Sequence, residues 1–171
     1  MSTPRSKEGR TPRDSRVEMV ELVLPNDANT MGNVLGGRVL HWIDLAAAIV
    51  AHRHCRSETV TVSLDQMSFL APIKVGQLAV IAAKMTYTGR TSMEIRVDVQ
   101  CEDLLSGERQ KTSTAYLTFV AVDKQGRPAP VPPLVLETDE DRREWRQAEA
   151  RRDARLKARP ERPPTRETIQ R

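Results

Sequence analysis

Residues 25–55 read PNDANTMGNVLGGRVLHWIDLAAAIVAHRHC. The first half of this stretch, up to Gly37, is rich in proline, asparagine, aspartate and glycine, which favour turns. The second half, from Arg38 to Cys55, is rich in alanine and leucine and contains few polar residues. That composition indicates a helix that is buried on most of its faces. The stretch therefore predicts a loop that leads directly into a long core helix.

One acidic residue, Asp44, lies in the most apolar part of this helix. Its neighbours in the sequence are tryptophan, isoleucine, leucine and three alanines. A carboxylate buried among such side chains lowers stability unless it is hydrogen-bonded or paired. Asp44 is therefore either a hydrogen-bonded structural residue of the core or a catalytic group. The residues that precede the helix favour the catalytic role.

Gly36 and Gly37 are expected in the first turn of the helix. The free N–H groups of a first turn, together with the helix dipole, stabilise negative charge, and glycine lets a ligand approach the backbone. Asp44 follows Gly36 by eight residues, which is roughly 12 Å along a helix axis. One helix thus carries an anion site and an acid that are too far apart to act together. Two antiparallel copies would bring each Gly36 to the other's Asp44, so the spacing predicts a dimer with two composite sites.

The pattern of these residues resembles a known family. Pro25-x-Asp27-x-Asn29-x-x-Gly32-x-x-x-Gly36-Gly37, with Asp44 seven residues further on, is similar to the signature of hotdog-fold acyl-CoA thioesterases of the acyl-CoA hydrolase subfamily. The resemblance continues through three more segments and covers about residues 18–136. These segments are residues 69–76, the run Gly89-Arg90-Thr91-Ser92 and residues 112–120.

The resemblance implies a fold and an assembly. The fold is the α+β hotdog fold, in which an antiparallel sheet wraps one central helix and subunits dimerise through sheet edges and helices. The subfamily often builds trimers of dimers, so the resemblance implies a homodimer that assembles further into a trimer of dimers. The implied activity is hydrolysis of acyl-CoA thioesters to a free carboxylic acid and CoA. A thioester is reactive enough that neither a metal nor a cofactor is expected.

The resemblance also implies roles for individual residues. Asp44 would act as general base or as nucleophile, and the sequence does not choose between the two. The amides of Gly36 and Gly37 would stabilise the oxyanion, and Asn29 would orient water or the thioester from the other subunit. The CoA moiety would bind at the turn formed by Gly89, Arg90, Thr91 and Ser92, where the arginine pairs with phosphate oxygens and the serine donates a hydrogen bond.

Two alternative functions share the ligand. A hotdog enoyl-CoA hydratase or dehydratase has a histidine five residues after its aspartate, where this chain has Ile49. A non-catalytic acyl-CoA or nucleotide sensor would not require both Asp44 and Asn29. Considered without the resemblance, Asn29 is a turn residue, and Arg90 is equally well explained as a solvated arginine.

The remaining sequence predicts the domain organisation. Residues 17–24, 59–70, 78–88, 92–101 and 110–122 have the composition or alternation of strands. We expect a disordered leader (1–16), a hotdog acyl-CoA hydrolase domain (17–137), and a charged C-terminal helix with a disordered tail (138–171). The helix has only a thin apolar stripe, so it is expected to be solvated; docking on a partner subunit or a ligand phosphate is the alternative.

Charge distribution and cysteine content bear on nucleic-acid binding, membrane insertion and location. The formal net charge is +4, but residues 17–137 contain eleven basic and thirteen acidic residues, so the excess positive charge lies in the terminal segments. A nucleic-acid-binding face on the folded body is therefore not expected. Charged residues interrupt the apolar helix, which argues against a membrane span. The two cysteines, Cys55 and Cys101, fit neither a metal site nor a disulfide framework, and no signal peptide is evident, which together predict a cytoplasmic protein.

Overall fold

The computed structural model describes residues 8–65 and 67–158. Five antiparallel strands form one sheet in the order β1-β3-β4-β5-β2. The strands are Val17–Leu22 (β1), Thr59–Leu64 (β2), Leu78–Thr88 (β3), Ser92–Glu102 (β4) and Arg109–Ala121 (β5), and the helices are Pro12–Ser15 (α1), Gly36–Cys55 (α2) and Asp139–Lys157 (α3).

Helix α2 is the central helix of the fold and contacts all five strands. Its buried face consists mainly of small and branched apolar residues, and alternate residues of β3, β4 and β5 pack against it. Because side chains alternate between the two faces of a strand, one face of the sheet is apolar and surrounds the helix. This arrangement confirms the predicted α+β hotdog fold. Among the described residues, no helix is long and apolar enough to cross a membrane.

One face of α2 is open, which corrects the expectation of a helix buried on most faces. His41, Asp44 and Leu45 are exposed on it. The sheet of a single chain covers only the side of the helix that carries residues such as Ile43 and Val50. Asp44 is therefore not a buried acid within one chain.

Helix α3 differs from the solvated helix that its composition predicts. It docks on the face of the sheet opposite to α2, where Ala148 is fully buried and the ring of Trp145 lies 4.4 Å from that of Tyr87. A capping box is present at its start, since Asp141 N donates to Thr138 Oγ1 at 3.0 Å and Thr138 N donates to the Asp141 side chain.

Ion pairs to two buried glutamates hold α3 on the sheet. Glu94 of β4 is 1% exposed and accepts hydrogen bonds from Arg151 at 2.8 Å and Arg155 at 2.9 Å. Glu144 of α3 is buried and pairs with Lys84 and Arg96, each at 2.8 Å. A helix that docks through charged residues shows no strong apolar stripe, which is why the pattern in the sequence missed the contact.

The N-terminal segment also differs from expectation over part of its length. Arg10 N donates to Pro133 O at 3.0 Å, Val135 N donates to Arg10 O at 2.8 Å, and α1 follows directly. Residues 10–16 are therefore packed on the domain and are not a disordered leader. Residues 1–7 and the predicted disorder beyond residue 160 lie outside the described residues.

The strand predicted to continue to Leu70 ends earlier. β2 stops at Leu64, and the chain stays close to β5 through two hydrogen bonds, Asp65 N to Tyr116 O at 3.0 Å and Leu70 N to Thr112 O at 2.8 Å. The partner strand is irregular at this point. The register pairs Val99 with Ser113 and Gln100 with Lys111, so the residue between them on β5 is an extra, bulged residue.

Candidate active site

Asp27 links the loop before α2 to the start of the helix. Its buried carboxylate accepts hydrogen bonds from Leu24 N at 3.1 Å and from Arg38 Nε at 2.6 Å. Its backbone carbonyl accepts a hydrogen bond from Leu35 N at 2.8 Å. The hydrogen bond from Leu24 N, followed by that from Arg38, holds the pKa of Asp27 below its ordinary value. Both ends of the loop that carries Asn29 are therefore attached to one ionised side chain.

Asn29 shapes this loop with its side-chain oxygen. Oδ1 accepts hydrogen bonds from Met31 N at 2.9 Å and Asn33 N at 3.2 Å. The residue is exposed, and its amide nitrogen has no hydrogen-bond partner among the described residues. The turn role expected of an isolated asparagine is thus observed. The free end of the side chain is a hydrogen-bond donor, as the family role requires.

Gly36 and Gly37 form the first turn of α2, as predicted. Both are exposed, and in the described part of the chain their N–H groups find no acceptor. A Cβ atom placed on Gly37 would have no atom within 4 Å, and one on Gly36 would make only ordinary contact with Phe69. Glycine lowers helix stability relative to alanine, and nothing in the single chain requires it here. The space beside this turn is open in the described part of the chain.

A cavity of about 320 Å³ adjoins this turn. Its walls are largely apolar, which suits an aliphatic ligand beside a hydrogen-bonding backbone. The lining residues are Asn33, Val34, Gly36, Val39, Phe69, Leu70, Ala71, Pro72, Ile73 and Thr112.

Asp44 lies on the open face of α2 and is hydrogen-bonded to a residue of the sheet. Its Oδ1 accepts a hydrogen bond from Thr61 Oγ1 of β2 at 2.8 Å. Asp44 does not line the cavity beside Gly36, so a single chain does not bring the acid and the amides together. The sequence does not single out Thr61, because nothing distinguishes one threonine in the alternating run TVTVSL from its neighbours.

The proposed CoA turn is tight and presents a free arginine. Gly89 N donates to Ser92 O at 2.7 Å. A Cβ on Gly89 would lie 3.2 Å from Ser92 Oγ, so glycine permits this close approach. Arg90 is exposed, and its side chain has no partner among residues 8–65 and 67–158.

Thr91 and Ser92 also line a second cavity, of about 700 Å³. Ser63 and Asp65 line it as well, together with Arg152 and Arg155 of α3. Arg155 is paired with Asp65 at 2.7 Å and with Glu94. The expectation of a solvated helix gave no reason to place α3 beside this turn. Over the described ranges, no group of three or more histidine, cysteine or acidic side chains is arranged to hold a metal ion.

A sheet around a helix, free first-turn amides and an acid on the same helix fit the hotdog-fold thioesterases, and the comparison with known proteins agrees. Residues 31–108 match the Thioesterase superfamily. The uncharacterised acyl-CoA thioester hydrolase YkhA of Bacillus subtilis is 43% identical over 141 residues, which cover 82% of this chain and 80% of that protein. The chain belongs to the thioesterase superfamily. The cytosolic acyl-CoA thioester hydrolase of Rattus norvegicus is 35% identical over 80% of this chain, and the match spans 36% of that longer protein.

Solved structures show the same similarity. An apo-hexameric acyl-CoA thioesterase is 41% identical with a TM-score of 0.86, covering 91% of this chain and 99% of the other. The acyl-CoA hydrolase of Staphylococcus aureus, in complex with butyryl-CoA, CoA and CoA disulfide, is 32% identical with a TM-score of 0.78, covering 86% and 93%. Structures of variants of that hydrolase replace an asparagine, an aspartate or a threonine by alanine. The three positions are separated by the same intervals as Asn29, Asp44 and Thr61.

Proposed function

We propose that this protein hydrolyses acyl-CoA thioesters to a carboxylic acid and CoA, at composite sites that each combine two copies of the chain. One observation carries the proposal. Asp44 lies hydrogen-bonded to Thr61 on the open face of the same helix whose first-turn amides are free at Gly36 and Gly37, and Gly36 lines an apolar cavity. An acid and an oxyanion site are what thioester hydrolysis requires.

In the general-base form of the reaction, Asp44 takes a proton from a water molecule, and the water oxygen bonds to the thioester carbon. The carbonyl oxygen becomes an oxyanion that accepts hydrogen bonds from the Gly36 and Gly37 amides. The amide nitrogen of Asn29 donates to the attacking water or to the thioester. The C–S bond then breaks, and the CoA thiolate takes up the proton. In the nucleophilic form, Asp44 itself bonds to that carbon, CoA leaves, and water hydrolyses the mixed anhydride.

The open surfaces of the chain favour a two-fold dimer. β2 is an edge strand whose Val60, Val62 and Leu64 side chains are exposed, Val62 to 58%. An exposed apolar edge pairs readily with another strand. β2 lies beside the open face of α2, because Thr61 reaches Asp44. Antiparallel pairing of two β2 edges would therefore bring the two open helix faces together, with each Gly36 toward the Asp44 of the second copy.

Three further elements belong to the proposal. The hexameric relative supports an assembly of three such dimers. Arg90, free and exposed on the turn before β4, would pair with the phosphates of CoA, and Ser92 would donate a hydrogen bond to it. A cytoplasmic location is consistent with the two cysteines, which are both buried and form no disulfide in the described part of the chain.

Thiol release from acyl-CoA tests the activity directly. The protein is mixed with acyl-CoA substrates of several chain lengths, and free CoA is followed with a thiol reagent. Steady turnover is expected for hydrolysis. A sensor would bind without releasing thiol, and a hydratase would change an enoyl-CoA without breaking the C–S bond.

Subunit mixing tests the composite geometry. Asp44→Ala and Asn29→Ala should each abolish most turnover while the oligomer stays folded. If the two residues act across the interface, a hybrid dimer of the two variants contains one intact site. Random exchange makes half of the dimers hybrid, so about a quarter of the wild-type activity should return. Exchange confirmed by mass spectrometry without any recovery would show that both residues act from one chain.

A further inference from the structure

Thr112 is a buried hydroxyl that the proposed reaction does not use. The residue is 1% exposed, and Oγ1 has no hydrogen-bond partner in the described part of the chain. Buried hydroxyl groups are nearly always hydrogen-bonded, because leaving one unpaired lowers stability. Its backbone carbonyl, in contrast, is engaged by Leu70 N at 2.8 Å. The side chain is therefore the part that lacks a partner.

The bulge in β5 accounts for the position of this side chain. Thr112 is the extra residue between the paired positions Lys111 and Ser113. Thr112 and Ser113 are both buried, which breaks the alternation of the strand. A bulge redirects a side chain that would otherwise follow the pleat. Here Thr112 becomes part of the wall of the 320 Å³ cavity beside Gly36.

The chemistry of the cavity indicates which part of the substrate it holds. Seven of its ten lining residues are apolar, and Asn33 and Thr112 provide the polar side chains. It shares no residue with the cavity next to the proposed CoA turn. Its volume is roughly ten times the ~30 Å³ that one water occupies in the liquid. A thioester carbonyl at the Gly36 amide would thus have a short acyl chain beside it in this cavity.

We propose that this cavity binds the acyl group and that Thr112 Oγ1 forms a hydrogen bond with an oxygen atom carried on it. The proposal rests on the proposed thioesterase function, since the carbonyl at Gly36 sets where the acyl chain begins. The preferred substrates are then short hydroxyacyl- or oxoacyl-CoA thioesters rather than unsubstituted acyl-CoA of the same length. A site built to hydrogen-bond a substrate oxygen discriminates strongly against the analogue that lacks it.

The test compares kcat/KM for butyryl-CoA, 2-hydroxybutyryl-CoA, 3-hydroxybutyryl-CoA and acetoacetyl-CoA. We expect at least one oxygenated substrate to exceed butyryl-CoA by about tenfold in the wild-type protein. Thr112→Val removes the hydroxyl and retains the branched shape, so it should reduce that ratio by about tenfold. Thr112→Ser keeps the hydroxyl and should preserve the ratio.

Ser113→Ala provides the matched control. The Ser113 hydroxyl is also buried without a partner, but it does not line the cavity, so its removal should leave the substrate ratio unchanged. A wild-type protein without preference, or a Thr112→Val variant that loses activity equally on all four substrates, would overturn the assignment of Thr112 while leaving the thioesterase function intact. Absence of thiol release from every acyl-CoA tested would instead overturn the thioesterase function, and the assignment with it.

Discussion

The two long helices lie on opposite faces of one sheet, and the acidic side chains on these two faces differ in burial and in their partners. On the α3 side, Glu94 is buried and receives hydrogen bonds from two arginines and from Thr86 Oγ1. On the α2 side, Asp44 is exposed and has one neutral partner, Thr61. At the α3 interface, the buried carboxylates are paired with cations of the same chain. On the α2 face, Asp44 has no cationic partner among the described residues.

This difference separates structural charges from functional ones. A carboxylate that serves stability is surrounded by cations of its own chain, because a buried charge without partners is costly. A carboxylate that serves a reaction must leave an oxygen free for the ligand. Sequence alone gives the opposite impression, since Asp44 sits in an apolar helix and Glu94 in a strand with alternating charged residues. The burial of each acid follows from what covers it, which is a property of the folded chain.

Asp44→Asn should have the largest effect on turnover. The substitution keeps the size and the contact with Thr61 but removes the base. General acid–base catalysis contributes typically about 10²–10⁴-fold, so kcat should fall by about that factor. The free energy of unfolding, measured by urea denaturation at fixed protein concentration, should change little. Near wild-type kcat in this variant would remove Asp44 from the mechanism.

Glu94→Gln should show the reverse behaviour. Arg151 and Arg155 would lose the carboxylate they share, and breaking a buried ion pair typically costs about 3–5 kcal/mol. Because both arginines are partly exposed, we expect about 3 kcal/mol of destabilisation, with kcat per folded protein unchanged. The exposed Glu140, whose ion-pair contacts are 3.7 Å or longer, is the matched control. Glu140→Gln should cost less than about 0.5 kcal/mol.

Arg90→Ala should raise KM for acyl-CoA. One charge-assisted phosphate contact is lost, which is worth about 1.5–3 kcal/mol. Truncated pantetheine thioesters lack the nucleotide phosphates, so their KM should barely change. Lys124→Ala removes another exposed cation from a turn and should affect neither substrate. Equal losses on both substrates would place Arg90 away from the phosphates.

Gly37→Ala should give the smallest effect, and it should change stability and turnover in opposite directions. Alanine is a better helix former than glycine, so stability should rise by about 0.5–1 kcal/mol. Turnover should fall, because the new methyl group occupies the space beside the oxyanion amides. A rise in stability with full activity would mean that only solvent uses this space.

Local sequence patterns predicted most of the elements, for identifiable reasons. The alternation of apolar and polar residues predicted the bounds of β3 and β4 closely, because their side chains face a core on one side of the sheet. The turn residues before α2 located the free amides at Gly36 and Gly37. The patterns failed where stabilisation is not apolar. The docking of α3 through Glu94 and Glu144, and the packing of residues 10–16, depend on polar groups whose partners lie far away in the chain.

By itself, the sequence determined the α+β order of one strand, a helix and four more strands, the glycines at the start of α2 and the interval that separates them from Asp44, because helix geometry, alternation and turn chemistry are local. The hotdog arrangement of these elements followed from the family resemblance. Only the tertiary structure decided that Asp44 is exposed and bonded to Thr61, that Arg90 is free, and that a bulge brings Thr112 to the cavity beside Gly36. Burial and hydrogen bonding are set by which distant segments meet, and no local pattern contains that information.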